Sequence, residues 1–240
     1  MPERQMLTAR LRQSVPLSGL TKHLQFEIEE VPRFDFAAGQ FVSMQTEYEG
    51  RQITRAYSIA SAPLSDRFFD VCLNRVQDGF FSNYLCDLEE GSEVKFHGPH
   101  GYFVLKNPLR DSVFIGTGTG IAPLRGMLHH LFADPSRNEG REFWLVFGVR
   151  NRETLYYNDE FAQLERENRN FHYFPTLSRP DDLWTGARGY VQDHVREIVK
   201  DRRDMDAYIC GLKNMVVANR DLLTKEKGWE KKSVLFERYD

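Results

Sequence analysis

Ser112-Val-Phe-Ile-Gly-Thr-Gly-Thr-Gly-Ile-Ala-Pro-Leu124 reads as an apolar strand, Ser112 to Ile115, that runs through a Gly-rich turn into a helix, Pro123 to Phe132. Glycines at that junction let the main chain approach a phosphate, and the free N–H groups of the helix's first turn attract negative charge. Pro123 suits the first helical position, where no donor is needed. The stretch departs from the G-x-G-x-x-G fingerprint, since Ile121 or Pro123 stands where a third Gly would be and no acidic residue occupies the ribose-reading place. A tight strand-to-helix turn that binds nothing is the alternative reading. Downstream the same rhythm repeats: strand Glu142 to Val149, helix Thr154 to Asn168, strand Phe171 to Leu177, helix Val191 to Lys200, strand Ala207 to Cys210, helix Asn214 to Lys227 and strand Ser233 to Phe236. Strands alternating with helices predict a five-stranded parallel sheet covered by helices, an α/β domain.

Upstream, from residue 7 to about 106, the pattern is different. Period-2 stretches such as Leu24-Gln-Phe-Glu-Ile-Glu29 and Phe69-Asp-Val-Cys-Leu-Asn74 alternate with glycines, which predicts an all-β barrel or sandwich of antiparallel strands. One short helix, Phe80 to Leu88, opens behind Asp78-Gly79. Asn107-Pro108 marks the change of rhythm, so the expected domains are 1–107 and 108–240. The chain has 240 residues with 32 Lys and Arg against 35 Asp and Glu, a net charge of -3 that argues against a protein devoted to coating nucleic acid or an anionic membrane. No apolar run approaches the roughly 20 residues of a membrane span, and the first residues carry no export signal, so a cytoplasmic protein is expected. Three cysteines without C-x-x-C spacing exclude a disulfide framework and a four-Cys metal centre, and the seven histidines show no ligand spacing, so no metal is assigned.

Arg55-Ala-Tyr-Ser58 joins a cationic fork, an aromatic face and a hydroxyl within four residues, which suits an aromatic ring system tethered to phosphate; by itself it also fits an ordinary exposed strand. Gly79-Phe-Phe-Ser82 adds a second helix start able to meet a phosphate, or a turn capped for stability alone. Taken in order, Arg55-x-Tyr57-Ser58, Gly79-x-x-Ser82, Gly98-Pro-x-Gly101, the Gly116 to Pro123 turn and Cys210-Gly-Leu-Lys-x-Met215 resemble the ferredoxin–NADP reductase family over most of the chain. The resemblance implies a FAD-binding barrel followed by an NADP(H)-binding α/β domain. It implies that Arg55 pairs with the flavin pyrophosphate, Tyr57 packs on the isoalloxazine and Ser58 bonds near flavin N5. Ala56, the strand residues Cys72, Leu73 and Asn74, and the helix start Gly79, Phe80, Phe81 and Ser82 would complete the FAD site. Gly118, Thr119, Arg150, Gly211 and Leu212 would contact the dinucleotide, and Cys210 would stand on the nicotinamide side. The ending Glu237-Arg-Tyr239 matches the family's terminal Glu-x-Tyr, so Glu237 joins Ser58 and Cys210 in the catalytic cluster and Tyr239 covers the flavin; the additional Asp240 departs from that pattern.

Ser178-Arg179 and Arg188-x-Tyr190 resemble the family's 2′-phosphate site, which favours NADPH over NADH, although a Leu-Ser-Arg-Pro run also occurs in NADH-using relatives. The expected partner is a transiently docked ferredoxin or flavodoxin on a monomeric reductase, with Arg10, Arg12, Arg33, Arg51, Lys231 and Lys232 available to meet an acidic surface. Two other readings share the fold: an NAD(P)H-dependent reductase component of an oxygenase or a flavin reductase, and a non-catalytic module that senses nucleotide or redox state.

Overall fold

The computed structural model describes residues 5–64 and 66–239. Cα distances divide it into two units: one runs up to Val104 and takes in Arg125–His130, and the other holds Leu105–Leu124 and the chain from Leu131 onward.

The first unit is built on six antiparallel strands, β1 (Leu7–Pro16), β2 (Thr21–Glu27), β3 (Phe41–Tyr48), β4 (Arg51–Ser58), β5 (Phe68–Asn74) and β6 (Glu93–His100), with helix α1 (Phe80–Asp87) after β5. Their order in the sheet is β4-β3-β6-β1-β2-β5. A single bridge, Ile59 to Val71, brings the two ends of that order together, so the sheet curls into a barrel with a seam between β4 and β5. Alternation sends Phe26, Phe69 and Phe96 inward, all fully buried, where each contributes about 2 to 3 kcal/mol through the apolar area it removes from water. Glu27 is also buried, and the guanidiniums of Arg12 and Arg67 both reach its carboxylate from the rim. An unpaired carboxylate at that depth would cost several kcal/mol.

The second unit carries β7 (Ser112–Thr117), the two ends of α2 (Ile121–Phe132), α3 (Pro135–Asn138), β8 (Phe143–Val149), α4 (Asn158–Glu167), β9 (Phe171–Leu177), β10 (Ala187–Arg188), α5 (Val191–Val199), β11 (Asp206–Leu212), α6 (Lys213–Asp221) and β12 (Val234–Tyr239). The strands form one parallel sheet of order β10-β9-β8-β7-β11-β12. β7 starts in the middle, the chain winds outward to β10, and it then crosses back to β11, so the order reverses between β7 and β11. That crevice beyond the strand ends is where open α/β sheets hold ligands.

Several differences from the sequence reading have local causes. The sheet has six strands instead of five, because the two residues Ala187 and Arg188 pair with Thr176 and Leu177 at its edge. The glycines Gly118–Gly120 form a 3-10 turn and α2 opens at Ile121, which moves Pro123 from the first to the third helical position, still within the turn that needs no donors. The helix expected from Thr154 begins at Asn158, since Tyr157 sits at φ 57 in the left-handed region and interrupts any earlier turn. α6 ends at Asp221 and continues as a π-type turn, Leu222–Glu226. β12 reaches Tyr239, three residues beyond the expected end, because β11 offers it a partner the whole way.

Candidate functional site

The barrel seam gathers the first group of predicted residues. Beyond the Ile59–Val71 bridge, Cys72, Leu73 and Asn74 of β5 pair with His23, Lys22 and Thr21 of β2 and border the seam towards β4. Helix α1 lays its aromatic side chains there: Phe81 lies 5.9 Å from Tyr57, and Phe80 stacks on Tyr48 at 3.9 Å. Tyr57 is half-buried, and burial pushes its phenol well above the usual range, so it acts as a neutral aromatic surface. Arg55 and Ala56 are exposed and Ser58 is buried. The Arg55 guanidinium donates to the Thr54 carbonyl at 2.9 Å and has charge to spare for an anion.

Gly79 stands at the N-terminus of α1 with no side-chain cap and no acidic residue in the first turn. The Ser82 hydroxyl is used within the turn, donating to Gly79 O at 3.2 Å and accepting from Val76 N at 3.1 Å, so it shapes the turn rather than standing ready as a donor. On the opposite face of β3 and β4 a cavity of about 440 Å³ is lined by Phe41, Ser43, His100, Gly101 and Tyr102 among others. Phe41 pairs with Ser58 and Ser43 with Ala56, so this cavity flanks the Arg55–Ser58 strand. His100, in its lining, places Nε2 2.6 Å from His97 Nδ1, within hydrogen-bond distance. The sequence reading found Gly98-Pro-x-Gly101 there but missed Phe41, Ser43 and Tyr102, which have no motif of their own.

The second group lies at the carboxyl ends of the parallel strands. The register of β11 and β12 sets Cys210 opposite Glu237 and Leu212 opposite Tyr239. The terminal Glu-x-Tyr is therefore strand, not a frayed tail, while Asp240 lies outside the described residues. Burial pushes the Cys210 thiol far up, the Glu237 carboxylate pushes it further, and a hydrogen bond with Tyr239 only partly opposes them. The thiol therefore stays neutral at physiological pH, so no thiolate nucleophile is available beside Glu237. Two glycines allow this packing. A Cβ on Gly120 would stand 2.3 Å from the Cys210 carbonyl oxygen, and Gly211, at φ 138, passes so close to Thr117 that a Cβ would meet its Oγ1 at 2.4 Å. The turn after β7 and the end of β11 thus touch at the point where strand order reverses.

A third cluster forms around β9. Ser178 N donates to Val149 O at 2.9 Å and Arg179 N to Arg150 O at 2.8 Å, which sets Arg150 beside Arg179. Arg188, on the edge strand, is level with Leu177, one residue before Ser178. Arg150, Arg179, Arg188 and Tyr190 are all exposed. Two strand ends and an edge strand therefore bring the main chains of three arginines into one neighbourhood. The cations considered for an acidic partner fare differently. Arg10 pairs with Glu29 and Glu93, Arg12 with Glu27 and Glu29, Arg33 with Asp35 and Lys232 with Glu230, which mutes four of the six; Arg51 and Lys231 form no ion pair among the described residues.

Residues 8–105 match the family model described as an oxidoreductase FAD-binding domain, and residues 114–221 match the oxidoreductase NAD-binding domain. Ferredoxin–NADP reductase B of Sorangium cellulosum is 40% identical, with 97% of each chain covered. The chain belongs to the ferredoxin–NADP reductase family. Within it, the embryo chloroplastic ferredoxin–NADP reductase of rice is 34% identical over 74% of this chain, which spans 56% of that longer protein. Among solved structures, the cytochrome P450 reductase GcoB of Amycolatopsis superposes with a TM-score of 0.86 at 28% identity, covering 98% of this chain and 69% of that one. As a member of this family the chain is an oxidoreductase with FAD-binding and NAD(P)-binding domains. The barrel seam fits the first of these groups: an uncapped helix start and an exposed guanidinium accompany a neutral aromatic face.

Proposed function

We propose that this reductase exchanges a hydride between NADP(H) and FAD and passes single electrons to a ferredoxin or flavodoxin. Residues 1–107 serve as the FAD domain and 108–240 as the NADP domain in this reading. Arg55, Ala56, Tyr57, Ser58, Cys72, Leu73, Asn74 and the Gly79–Ser82 turn hold FAD; Gly118, Thr119, Arg150, Ser178, Arg179, Arg188, Tyr190, Gly211 and Leu212 hold NADP(H). When bound, FAD supplies the junction between two-electron and one-electron chemistry.

The observation that carries the proposal is the β11–β12 register, which joins Cys210, Glu237 and Tyr239 at the switch point of the nucleotide domain. Cys210 presents a neutral thiol and so leaves the positive charge of an oxidised nicotinamide to Glu237. Tyr239 lends an aromatic surface that must yield to the incoming ring, and Ser58 supplies a buried hydroxyl from the barrel. Positioning is the main catalytic contribution, since the reacting atoms must be held about 3 to 3.5 Å apart. The protein works in this account as a cytoplasmic monomer; among the described residues no helix is long and apolar enough to cross a membrane.

A reductase component of an oxygenase is the second reading, favoured by the ion pairs that mute most of the expected basic rim. Steady-state turnover with NADPH separates the two. A ferredoxin or flavodoxin is expected to exceed free flavin and cytochrome as acceptor by at least about tenfold in kcat/KM at low ionic strength, with the advantage shrinking as salt screens the docking charges. Free flavin as the better acceptor at every ionic strength would overturn the ferredoxin assignment.

A further inference from the structure

We infer that Trp184 is a positioning residue that sets the choice of coenzyme by fixing Arg188, an inference that rests on the 2′-phosphate role given to Arg188 above. The loop from Ser178 to Tyr190 is closed by its own contacts. Trp184 Nε1 donates to Ala187 O at 2.8 Å, and Arg188 Nη2 donates to Trp184 O at 2.9 Å and to Asp181 O at 3.5 Å. Asp181 Oδ1 accepts from Leu183 N at 3.0 Å, which holds the turn that carries the tryptophan. The indole packs against Gly186, so close that a Cβ there would stand 2.4 Å from Cζ2.

The arginine is held from its main chain as well. Its strand pairing with Leu177 sets its height at the sheet edge, and its carbonyl accepts from His194 Nε2 at 3.2 Å. Nη2 is the nitrogen tied to the loop, which leaves the Nε and Nη1 hydrogens for an anion. An arginine side chain is rich in rotamers, and immobilising one on binding lowers affinity; a tryptophan that immobilises it beforehand removes that cost only for the coenzyme whose phosphate the arginine meets. Trp184 thus acts through Arg188 and touches no part of the coenzyme in this account.

The test compares NADP+ and NAD+ binding to the FAD-loaded full chain by titration calorimetry, alongside KM and kcat for NADPH. Trp184→Phe keeps a ring and loses the indole donor. It is expected to raise the NADP+ Kd and the NADPH KM about five- to tenfold, with NAD+ binding, kcat and the thermal midpoint unchanged. Gly186→Ala, which keeps the indole but displaces it, is expected to give the same selective loss. Arg188→Ala is the control on the underlying reading: if it leaves the NADP+ to NAD+ ratio unchanged, the 2′-phosphate site itself is wrong. If Arg188→Ala collapses that ratio while both Trp184→Phe and Gly186→Ala leave it intact, or weaken both coenzymes equally, Trp184 does not position Arg188 and the inference falls.

Discussion

Replacing Arg179 and Arg188 together by alanine is expected to lower kcat/KM for NADPH by roughly 100-fold, while NADH changes by less than about threefold. β9 and the edge strand β10 bring Arg179 and Arg188 to adjacent strand ends. A charge-assisted hydrogen bond contributes about 1.5 to 3 kcal/mol, and the low end applies to side chains as exposed as these. Two such bonds at the low end amount to about 3 kcal/mol, or about two decades in affinity. NADH lacks the 2′-phosphate and has nothing to lose. The loss belongs in KM, because the adenosine end sits far from the reacting carbon and is bound equally in the ground and transition states. Raising the salt concentration should erode the native preference for NADPH and leave the double variant unaffected. Parallel steady-state kinetics with both coenzymes check this; an equal fall with NADPH and NADH would show that these arginines serve the fold or the common part of the coenzyme.

Gly120→Ala is expected to destabilise the second unit by about 3 kcal/mol and to lower its thermal midpoint by roughly 6 to 10 °C. The added Cβ would meet the Cys210 carbonyl oxygen at 2.3 Å, the Cys210 carbonyl carbon at 2.5 Å and Gly211 Cα at 2.6 Å. All three are main-chain atoms of a central strand, so no side chain can swing away to make room. Either α2 lifts off the sheet or the end of β11 moves. In the second case Cys210 is displaced from Glu237, its partner in the β11–β12 register, and from Tyr239, to which its thiol is hydrogen-bonded. Gly118→Ala supplies the contrast: its φ of 55 costs about 1 kcal/mol for a side chain, yet nothing lies within 4 Å of the new methyl group. Calorimetric melting of the three proteins distinguishes them. A Gly120→Ala midpoint equal to that of the native chain would mean that the turn after β7 does not press on β11 as described.

Much of the architecture was legible because the two halves follow different periods. Strict alternation in Phe69–Asn74 and the apolar run of Phe143–Val149 specify strands whatever surrounds them, and β9 was read at its true bounds, Phe171–Leu177. The misreadings share a cause. β10 is two residues long, held by register against β9 and by the loop that Trp184 closes, and neither contact leaves a periodic trace in the chain. The end of β12, with the adjacent charges Glu237 and Arg238 between Phe236 and Tyr239, looks like a solvated tail until β11 supplies its hydrogen bonds.

The same limit applied to the site. Short motifs picked out Arg55, Tyr57, Ser58 and Gly79, whose chemistry is carried in adjacent residues. The family resemblance grouped Cys210 with Glu237 and Tyr239, but their convergence, like the alignment of Arg188 with the end of β9, depends on pairings between segments far apart in the chain. Tyr102 illustrates the opposite case: nearly fully exposed at 96% and lining the cavity beside Phe41, it belongs to no pattern that residue types alone would single out. Ser82 was read correctly as part of a helix start, yet its hydroxyl turned out to be engaged by Gly79 and Val76.

The most direct measurement is an anaerobic titration of the FAD-loaded protein with NADPH, followed through the visible absorption of the flavin. The protein is expected to retain FAD through purification and to bleach completely with one NADPH per flavin, then to recover its colour when an oxidised ferredoxin is added. A chain that takes up no FAD, or whose bound flavin keeps its colour in the presence of excess NADPH, would contradict the assignment of both sites.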